Sequence, residues 1–252
     1  MKPTFYKIEC ITNLHVGSGD VNYNVVDNEV EKDITGNPMI HASGIKGALR
    51  DVVEKVDKNR ANKIFGSSGD EKTTGEGTHK FFDAHLIARP MRVAGSTTMA
   101  SIPVITVASV NQFIKTLSMF GDDRYNGAVI SDEEIDFGDK EFLTNTTENI
   151  RVEGENTGKL AQTVVAKLGI LKDIIGDKYA VAKSYENYPL PVTARNYLEN
   201  GISQNLWYEE VVPHDSIMYF AVMGDDTFEI PDIVQFGGHS SIGCGFTKVT
   251  KI

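Results

Sequence analysis

The chain has 252 residues, of which 40% are hydrophobic, and a formal net charge of −10. This length and apolar content suit one large domain or two small ones. No apolar run approaches the ~20 residues that cross a bilayer, so we expect no spanning helix and no membrane partner. Two cysteines exclude a disulfide framework and a four-cysteine zinc site. Because the first residues also lack an apolar signal region, we expect a cytoplasmic protein.

The negative charge comes entirely from the second part of the chain. Residues 1–110 contain 13 basic and 13 acidic residues, whereas the remainder contains 12 basic and 22 acidic residues. A protein that binds nucleic acid through bulk electrostatics is basic. Any contact with RNA must therefore use a local patch in the first part.

The first elements follow from hydrophobic periodicity. Alternating apolar and polar residues in 4–14 predict a strand. Apolar residues spaced by four, three and four from Ile45 to Val56 predict a helix, with Ser43 as its N-cap. Residues 66–79 are rich in glycine, serine and threonine, which predicts a mobile loop.

The middle of the chain alternates between predicted core elements and an acidic segment. A strand is predicted at 80–93 and a helix at 109–120. Residues 121–157 hold 11 acidic and 3 basic residues, so we expect a solvated insertion outside the core. A further helix is predicted at 158–175.

The last third begins with a hairpin signal. Asn200-Gly201 lies between two strand patterns within 192–210, which is typical of a two-residue β-turn. The single tryptophan, Trp207, lies in this hairpin, and we expect it to pack into the core. A strand at 215–223 and a glycine-rich segment follow.

The order strand, helix, strand, helix, strand with long insertions favours an α+β fold. We expect an antiparallel sheet covered by helices on one face, in a ferredoxin-like arrangement. The sequence shows no internal repeat of fixed period.

The start of the predicted helix combines Ser43, Lys46, Gly47 and Arg50. A cation in a first turn opposes the helix dipole unless an anion such as a phosphate binds there. Lys46 and Arg50 are four residues apart and share a face. An ordinary capped helix with exposed cations explains the same residues equally well.

Two glycine-rich loops and one acidic loop allow more than one interpretation. Residues 15–19 (HVGSG) and 237–245 (GGHSSIGCG) indicate a backbone that approaches either another strand or a ligand phosphate. The acidic residues in 25–33 match no calcium loop, and their spacing alone does not make Asp27 catalytic. The six histidines show no zinc spacing.

In this order the motifs resemble one known family. They are HVGSG, the Val26-Asp27 pair, SGIKGALRD at 43–51, DAHLIARPMRV at 83–93, the hairpin, and QFGGHSSIGCGF at 235–246. The whole chain resembles the RAMP superfamily of CRISPR proteins. More narrowly, it is similar to the repeated backbone subunits of type III-B (Cmr) effector complexes.

The resemblance implies a single RAMP domain over 1–252 with an RRM-related palm. The palm would comprise 1–60, 80–120, 158–180 and 211–252, with the mobile loop 66–79, the acidic insertion 121–157 and a β-hairpin thumb at 192–210. Several copies would stack as a helical filament on one guide crRNA, beside other subunits of the Cmr complex. The implied RNA-binding residues are His15, Ser18, Ser43, Lys46, Gly47, Arg50, Arg92, Arg195, Gly237, Gly238 and Gly243.

The resemblance also implies that the chain is an endoribonuclease that cuts complementary single-stranded target RNA at regular intervals, with Asp27 as the catalytic residue. A-form pairing holds each 2′-OH out of line with its leaving oxygen, so a hairpin that displaces one nucleotide would permit in-line attack. Asp27 would accept the 2′-OH proton or hold a metal. A carboxylate is a weak base at neutral pH, so we expect a divalent metal, Mg²⁺ or Mn²⁺.

Two alternatives remain open at this point. The chain could be a non-catalytic subunit that only binds crRNA. It could instead be a stand-alone RAMP endoribonuclease that processes precursor crRNA, with His15 or His41 as the acid or base. For the guide-bound nuclease, pairing with the guide reads the sequence, so the protein needs to recognise only the backbone shape.

Overall fold

The computed structural model describes residues 2–19, 26–67, 75–225 and 228–252. Within them the helices are α1 (Ala42–Glu54), α2 (Lys58–Phe65), α3 (Val107–Met119), α4 (Gln162–Leu168) and α5 (Lys172–Ile175). The strands are β1 (Thr4–Cys10), β2 (Met39–Ile40), β3 (Lys80–Phe81), β4 (Ala84–Ala94), β5 (Ser101–Thr106), β6 (Phe142–Thr144), β7 (Arg151–Val152), β8 (Glu155–Asn156), β9 (Gly158–Lys159), β10 (Ala180–Ala182), β11 (Val192–Glu199), β12 (Ile202–Glu210), β13 (Ile217–Met223), β14 (Ile233–Gln235) and β15 (Phe246–Lys251).

The described chain divides into two compact units. The first comprises 1–85, 190–214 and 219–252, and the second comprises 86–189 and 215–218. The fold is mixed α/β. None of the helices in the described residues is long and apolar enough to cross a membrane.

The first unit is built on the antiparallel pairing of β1 with the C-terminal strand β15, which places Ile8 opposite Val249. β14 continues this sheet on the other side of β15. Helix α1 buries Ile45 and Leu49, as its apolar spacing predicts. Helix α2 follows α1, and its N-cap Asp57 accepts a hydrogen bond from the Arg60 N–H.

The hairpin of β11 and β12 forms a separate two-stranded sheet in the first unit. Asn200 and Gly201 both have positive φ, 51° and 80°, as a type I′ turn requires. The predicted hairpin at 192–210 is therefore confirmed with its boundaries. A register shift after Tyr197 marks a bulge near the tip.

The second unit contains parallel as well as antiparallel pairs. β4 pairs antiparallel with β5, but β5 and β10 run parallel, and so do β6 and β9. The expectation of a wholly antiparallel sheet is therefore wrong here. Parallel neighbours need a long crossover, which α3 and the segment after it provide between β5 and β10.

The predicted solvated insertion at 121–157 contributes to the core of the second unit. Phe142, Ile150 and Val152 are buried and pack in one cluster with residues of β4, β5 and β10. The prediction that this segment lies outside the core is therefore wrong. Its apolar residues are widely spaced in the sequence, so no local pattern indicates that they are buried. Most of its acidic side chains are exposed or half-buried, so the average composition hides the buried strand β6.

The remaining element predictions hold with shifted boundaries. The helix expected at 158–175 begins later, at Gln162, and is broken at Gly169–Leu171 by a 3₁₀ turn. The helix expected at 109–120 is α3, whose capping box joins Thr106 and Ser109. The loop predicted at 66–79 contains neither helix nor strand in its described residues, and 68–74 lie outside them.

Candidate functional site

The carboxylate of Asp27 is fixed against the base of the hairpin in the first unit. The Tyr208 N–H donates to Asp27 Oδ2 at 2.7 Å, and the Asp27 N–H donates to the Tyr208 carbonyl at 3.0 Å. Asn28 continues this contact as a parallel bridge to Glu209. Among the described residues, none donates a hydrogen bond to Asp27 Oδ1. This oxygen is available for a ligand while the backbone and Oδ2 keep the side chain in place.

Glu209, the bridge partner of Asn28, is 1% exposed. Its Oε2 is 3.0 Å from Arg195 Nε and 3.2 Å from His239 Nε2. Its Oε1 accepts hydrogen bonds from Trp207 Nε1 at 2.8 Å and from Asn28 Nδ2 at 3.3 Å. The carboxylate thus joins both strands of the hairpin, the Asp27 segment and the C-terminal glycine-rich loop.

These contacts keep Glu209 ionised despite its burial. Burial alone raises the pKa of a carboxyl group, but hydrogen bonds from Trp207 and Arg195 and the charge of His239 outweigh it. The pKa of Glu209 is therefore lowered from its ordinary value. The prediction that Trp207 packs into the core is wrong, because its half-buried indole donates to this carboxylate instead.

His15 is buried next to the hydrogen-bond network of Glu209. Its Nδ1 is 2.8 Å from the carbonyl of Glu210, and its ring centroid is 5.4 Å from that of His239. The side chain is only 7% exposed. This burial disfavours His15 as a freely accessible acid or base for a stand-alone nuclease. Ser18, in the same loop, is half-buried and donates its N–H to the Glu29 carbonyl.

The C-terminal glycine-rich loop packs against the backbone of His15. Gly238 donates its N–H to the His15 carbonyl at 2.9 Å. A Cβ at Gly237, where φ is 73°, would lie 2.2 Å from that oxygen. Of the two interpretations, close approach to another segment of this chain accounts for Gly237 and Gly238. Gly243 differs, because a Cβ there meets nothing within 4 Å and only its φ of 80° favours glycine.

Helix α1 begins two residues earlier than the sequence pattern predicts. His41 is the N-cap residue and makes no side-chain capping bond, so the prediction of Ser43 as N-cap is wrong. The Ala42 N–H donates to Asp83 Oδ1 at 2.6 Å. A carboxylate from outside the helix therefore occupies the position where an anion was expected. His41 lies 3.2 Å from Glu31 and 3.7 Å from Asp83.

The residues predicted to bind RNA on α1 divide into two groups. Ser43, Lys46 and Gly47 are exposed, and none of the described residues forms an ion pair with Lys46. The guanidinium of Arg50 instead donates to Glu54, to Asn62 Oδ1 and to the Gly66 carbonyl. Because Asn62 and Gly66 lie in and after α2, Arg50 holds the two helices together.

Two further arginines make ion pairs. Arg195 is held by Glu209, as described above, and its Nη2 is 3.8 Å from Cys244 Sγ. Arg92 belongs to the second unit and forms a two-nitrogen contact with Glu153 Oε2, at 3.2 and 3.0 Å. The Arg92 side chain is 87% exposed. Both cations keep an accessible surface, and Arg92 has the larger one.

Sequence reasoning missed Glu209, which is the centre of the site. Its partners Asn28 and His239 are distant in the chain, so no local spacing predicts the cluster. The available signal was the pair Glu209-Glu210 at the end of a hairpin strand, where acidic residues are uncommon. Glu210 is also buried, and its Oε2 lies 2.9 Å from Lys32 Nζ.

The site offers few oxygen ligands for a metal. In the part of the chain that the structure describes, no group of three or more histidine, cysteine or acidic residues could hold a metal ion. Magnesium commonly binds through one or two carboxylates, with waters and substrate phosphates completing its shell. Asp27 Oδ1 fits such a sparse set, so the residues are compatible with a metal shared with RNA.

Comparisons with known proteins place the fold and the family. A sequence model of the RAMP superfamily matches residues 7–248, so the chain belongs to the RAMP superfamily. The CRISPR system Cmr endoribonuclease Cmr4 of Pyrococcus furiosus is 26% identical, covering 99% of this chain and 96% of the relative.

Two solved structures share the fold over the full length. Oligomeric Cmr4 from Pyrococcus furiosus is 21% identical, with a TM-score of 0.71 and coverage of 100% of this chain and 98% of the other. A chain of the type III-B Cmr-beta complex bound to cognate target RNA is 19% identical. Its TM-score is 0.77, with coverage of 100% and 97%.

Proposed function

We propose that this chain is a repeated backbone subunit of a type III-B CRISPR ribonucleoprotein. It binds the guide crRNA, stacks with other copies of itself and cleaves complementary target RNA. The observation that carries the proposal is the attachment of Asp27 to the base of the hairpin, in a chain similar to a Cmr endoribonuclease over its full length. One acidic group and one projecting hairpin per copy would give cuts at regular intervals.

The chemistry uses the geometry at Asp27. The hairpin separates a base pair of the guide–target duplex, and the displaced nucleotide brings its 2′-OH into line with the adjacent phosphorus. The 2′-oxygen attacks the phosphorus while Asp27 Oδ1 accepts the 2′-OH proton, and the P–O5′ bond breaks to leave a 2′,3′-cyclic phosphate and a 5′-hydroxyl whose proton comes from water. The backbone bonds from Tyr208 fix this carboxylate relative to the hairpin. Positioning of this kind contributes a large part of the rate.

A divalent metal, Mg²⁺ or Mn²⁺, belongs to the proposal. Asp27 would hold it together with RNA oxygens, and it would lower the pKa of the attacking hydroxyl and neutralise the developing charge. With or without the metal, the residues of this chain position the reacting groups of the RNA. Glu209 would act as a positioning residue, through its hydrogen bond from Asn28 and its contacts with the hairpin.

The finer architecture and the location are also proposals. We assign a ferredoxin-like, RRM-related palm to the sheet of the first unit and the role of a thumb to the hairpin. The exposed cation Lys46 and the neighbouring Gly47 on α1 are the proposed grip on the guide backbone. A cytoplasmic location follows from the reducing conditions that the two cysteines suggest.

The experiment is to express the chain with the other subunits of the complex and isolate the particle. The proposal predicts that guide RNA co-purifies and that complementary target RNA is cut at evenly spaced positions. Binding of target without cutting, at any magnesium or manganese concentration, would favour the non-catalytic alternative. Cutting of precursor crRNA by the chain alone would favour the stand-alone nuclease.

A further inference from the structure

One face of the hairpin of β11 and β12 carries two aromatic side chains and an arginine. Arg195 is paired with Trp207 across the two strands, and Tyr197 is paired with Asn205 one step nearer the tip. The bulge comes only after Tyr197, so these four side chains lie on the same face. Among the described residues, no other aromatic ring packs against Trp207 or Tyr197, and Tyr197 is 57% exposed. The two ring systems are therefore available to a ligand.

The buried carboxylate of Glu209 orients two of these planar groups. Its Oε1 accepts a hydrogen bond from Trp207 Nε1 at 2.8 Å, and its Oε2 accepts one from Arg195 Nε at 3.0 Å. Each bond uses the edge of a planar group and not its face. Because Glu209 is 1% exposed, the planes of the indole and the guanidinium are set before any ligand binds.

The charge of this cluster favours a nucleobase over a phosphate. The carboxylate of Glu209 pairs with Arg195 and neutralises it. His239, 3.2 Å from the same carboxylate, adds a charge only when it is protonated. A neutralised cation has little attraction for the RNA backbone. Aromatic rings and guanidinium planes are instead the groups on which unpaired bases stack.

The spacing of the two aromatic residues suits a single base. Trp207 and Tyr197 are diagonal neighbours in the register of the hairpin. Such neighbours are roughly 7–8 Å apart in an antiparallel pair. Stacked bases are about 3.4 Å apart, so one base between two rings needs about twice that distance. The face can therefore hold one base with a ring on each side.

The position of Asp27 indicates which base this is. Tyr208 follows Trp207 in the chain, and its N–H and carbonyl hold Asp27. In the proposed reaction, Asp27 accepts the proton of the 2′-OH of the displaced target nucleotide. The base and the 2′-OH of one nucleotide are on adjacent carbons of the ribose. A nucleotide whose 2′-OH reaches Asp27 thus has its base close to Trp207.

We propose that Trp207, Arg195 and Tyr197 form a stacking platform for the unpaired base of the target nucleotide whose 2′-OH attacks. The proposal deepens the proposed function and rests on it for the identity of the RNA. Stacking would hold the displaced nucleotide in the conformation that in-line attack requires. Because every base has a π face, the platform accepts any base, and pairing with the guide still reads the sequence.

The first test is photo-crosslinking in the guide-loaded complex. Target RNA carries 5-iodouridine at one position at a time, and the complex carries Asp27→Asn so that the target stays intact. The proposal predicts adducts on Trp207 or Tyr197 at evenly spaced positions, each just 5′ of a cut made by wild type. Tyr208, 40% exposed on the opposite face, is the internal control. Target that binds with adducts only on Tyr208, or with none on the hairpin, would overturn the proposal.

The second test combines a change in the protein with a change in the RNA. Tyr197→Ala should slow target cutting roughly tenfold, and Tyr197→Phe should restore it. Because Tyr197 is exposed, neither variant should change the melting temperature of the chain. An abasic ribonucleotide that keeps its 2′-OH, placed just 5′ of the cut, should slow wild type by a similar factor.

The two changes together should slow cutting no more than either change alone, because both remove the same stacking contact. Leu206→Ala is the matched control, since Leu206 is 52% exposed on the opposite face of the hairpin. The factor by which it changes cutting should be the same for the abasic and the ordinary target. Independent effects of Tyr197→Ala and the abasic nucleotide, with a product near a hundredfold, would overturn the proposal.

The crosslinks distinguish failure of this proposal from failure of the proposed function. If wild type cuts at regular intervals and no adduct forms on Trp207 or Tyr197, the platform fails and the proposed function stands. If evenly spaced adducts form on these residues but wild type never cuts, the catalytic part of the proposed function fails and the platform stands. If the assembled complex binds no RNA, both fail.

Discussion

Replacement of Glu209 by alanine should destabilise the first unit strongly. The change removes the acceptor of Trp207 and Asn28 and leaves the cation Arg195 half-buried without its carboxylate. Breaking a buried ion pair by removing one partner costs about 3–5 kcal/mol. For units of this size, 1 kcal/mol lowers the melting temperature by about 2–8 °C, so a decrease on the order of 10 °C is expected.

The assay is thermal unfolding of the purified chain followed by calorimetry. Glu199→Ala is the matched control, because Glu199 is an exposed carboxylate on the same hairpin and should change stability by less than about 0.5 kcal/mol. Glu209→Gln keeps the shape and one acceptor and should fall between wild type and Glu209→Ala. A decrease below about 2 °C for Glu209→Ala would refute the view that this carboxylate holds the hairpin base.

The lowered pKa of Glu209 gives this prediction a pH dependence. A carboxyl group with a lowered folded-state pKa contributes stability above its unfolded-state pKa, ~4.3, and loses it as the pH falls through the folded value. The difference in stability between wild type and Glu209→Gln should therefore be largest near neutral pH and shrink below about pH 4. A stability difference that stays constant from pH 7 to pH 3 would contradict the conclusion that Glu209 is ionised.

Three further predictions test other parts of the structure. Lys46→Ala should weaken guide binding in a filter-binding assay without changing the melting temperature, whereas Arg50→Ala should cost about 1–3 kcal/mol of stability through its lost hydrogen bonds. Gly237→Ala should destabilise the chain more than Gly243→Ala in denaturant titration, because only the first adds a backbone clash to the cost of positive φ. Burial raises the pKa of Tyr179 to about 12, so wild type should lose stability as the pH rises from about 10 to 12, and Tyr179→Phe should lose less over the same range.

Local signals were sufficient for several elements. The Asn200-Gly201 pair has the two positive φ values that a short hairpin turn needs, so the chain reverses there whatever surrounds it. The apolar spacing around Ile45 and Leu49 likewise matches the buried face of α1. Both are determined within about ten residues of chain, which is why the sequence pattern predicts them.

The site itself depends on contacts that no local pattern contains. Asn28 and Glu209 are 181 positions apart, and the hydrogen bond between them exists only after the hairpin returns to the first unit. The same holds for the Ala42 contact with Asp83, which replaces the capping bond predicted for Ser43. The composition of 121–157 gave a wrong prediction for a related reason. A buried three-residue strand such as β6 changes the average composition of a 37-residue segment very little.

The most direct test of the account is target cleavage by the assembled complex carrying Asp27→Asn. The amide keeps an oxygen that can accept the Tyr208 N–H, so the particle should assemble and retain its guide RNA. Asp51→Asn, which alters an exposed carboxylate on α1, is the control and should cut normally. The account predicts loss of cutting by at least roughly 10²-fold for Asp27→Asn, the lower range for a general acid–base group. Unchanged cutting by a complex that carries only the Asp27→Asn subunit would contradict it.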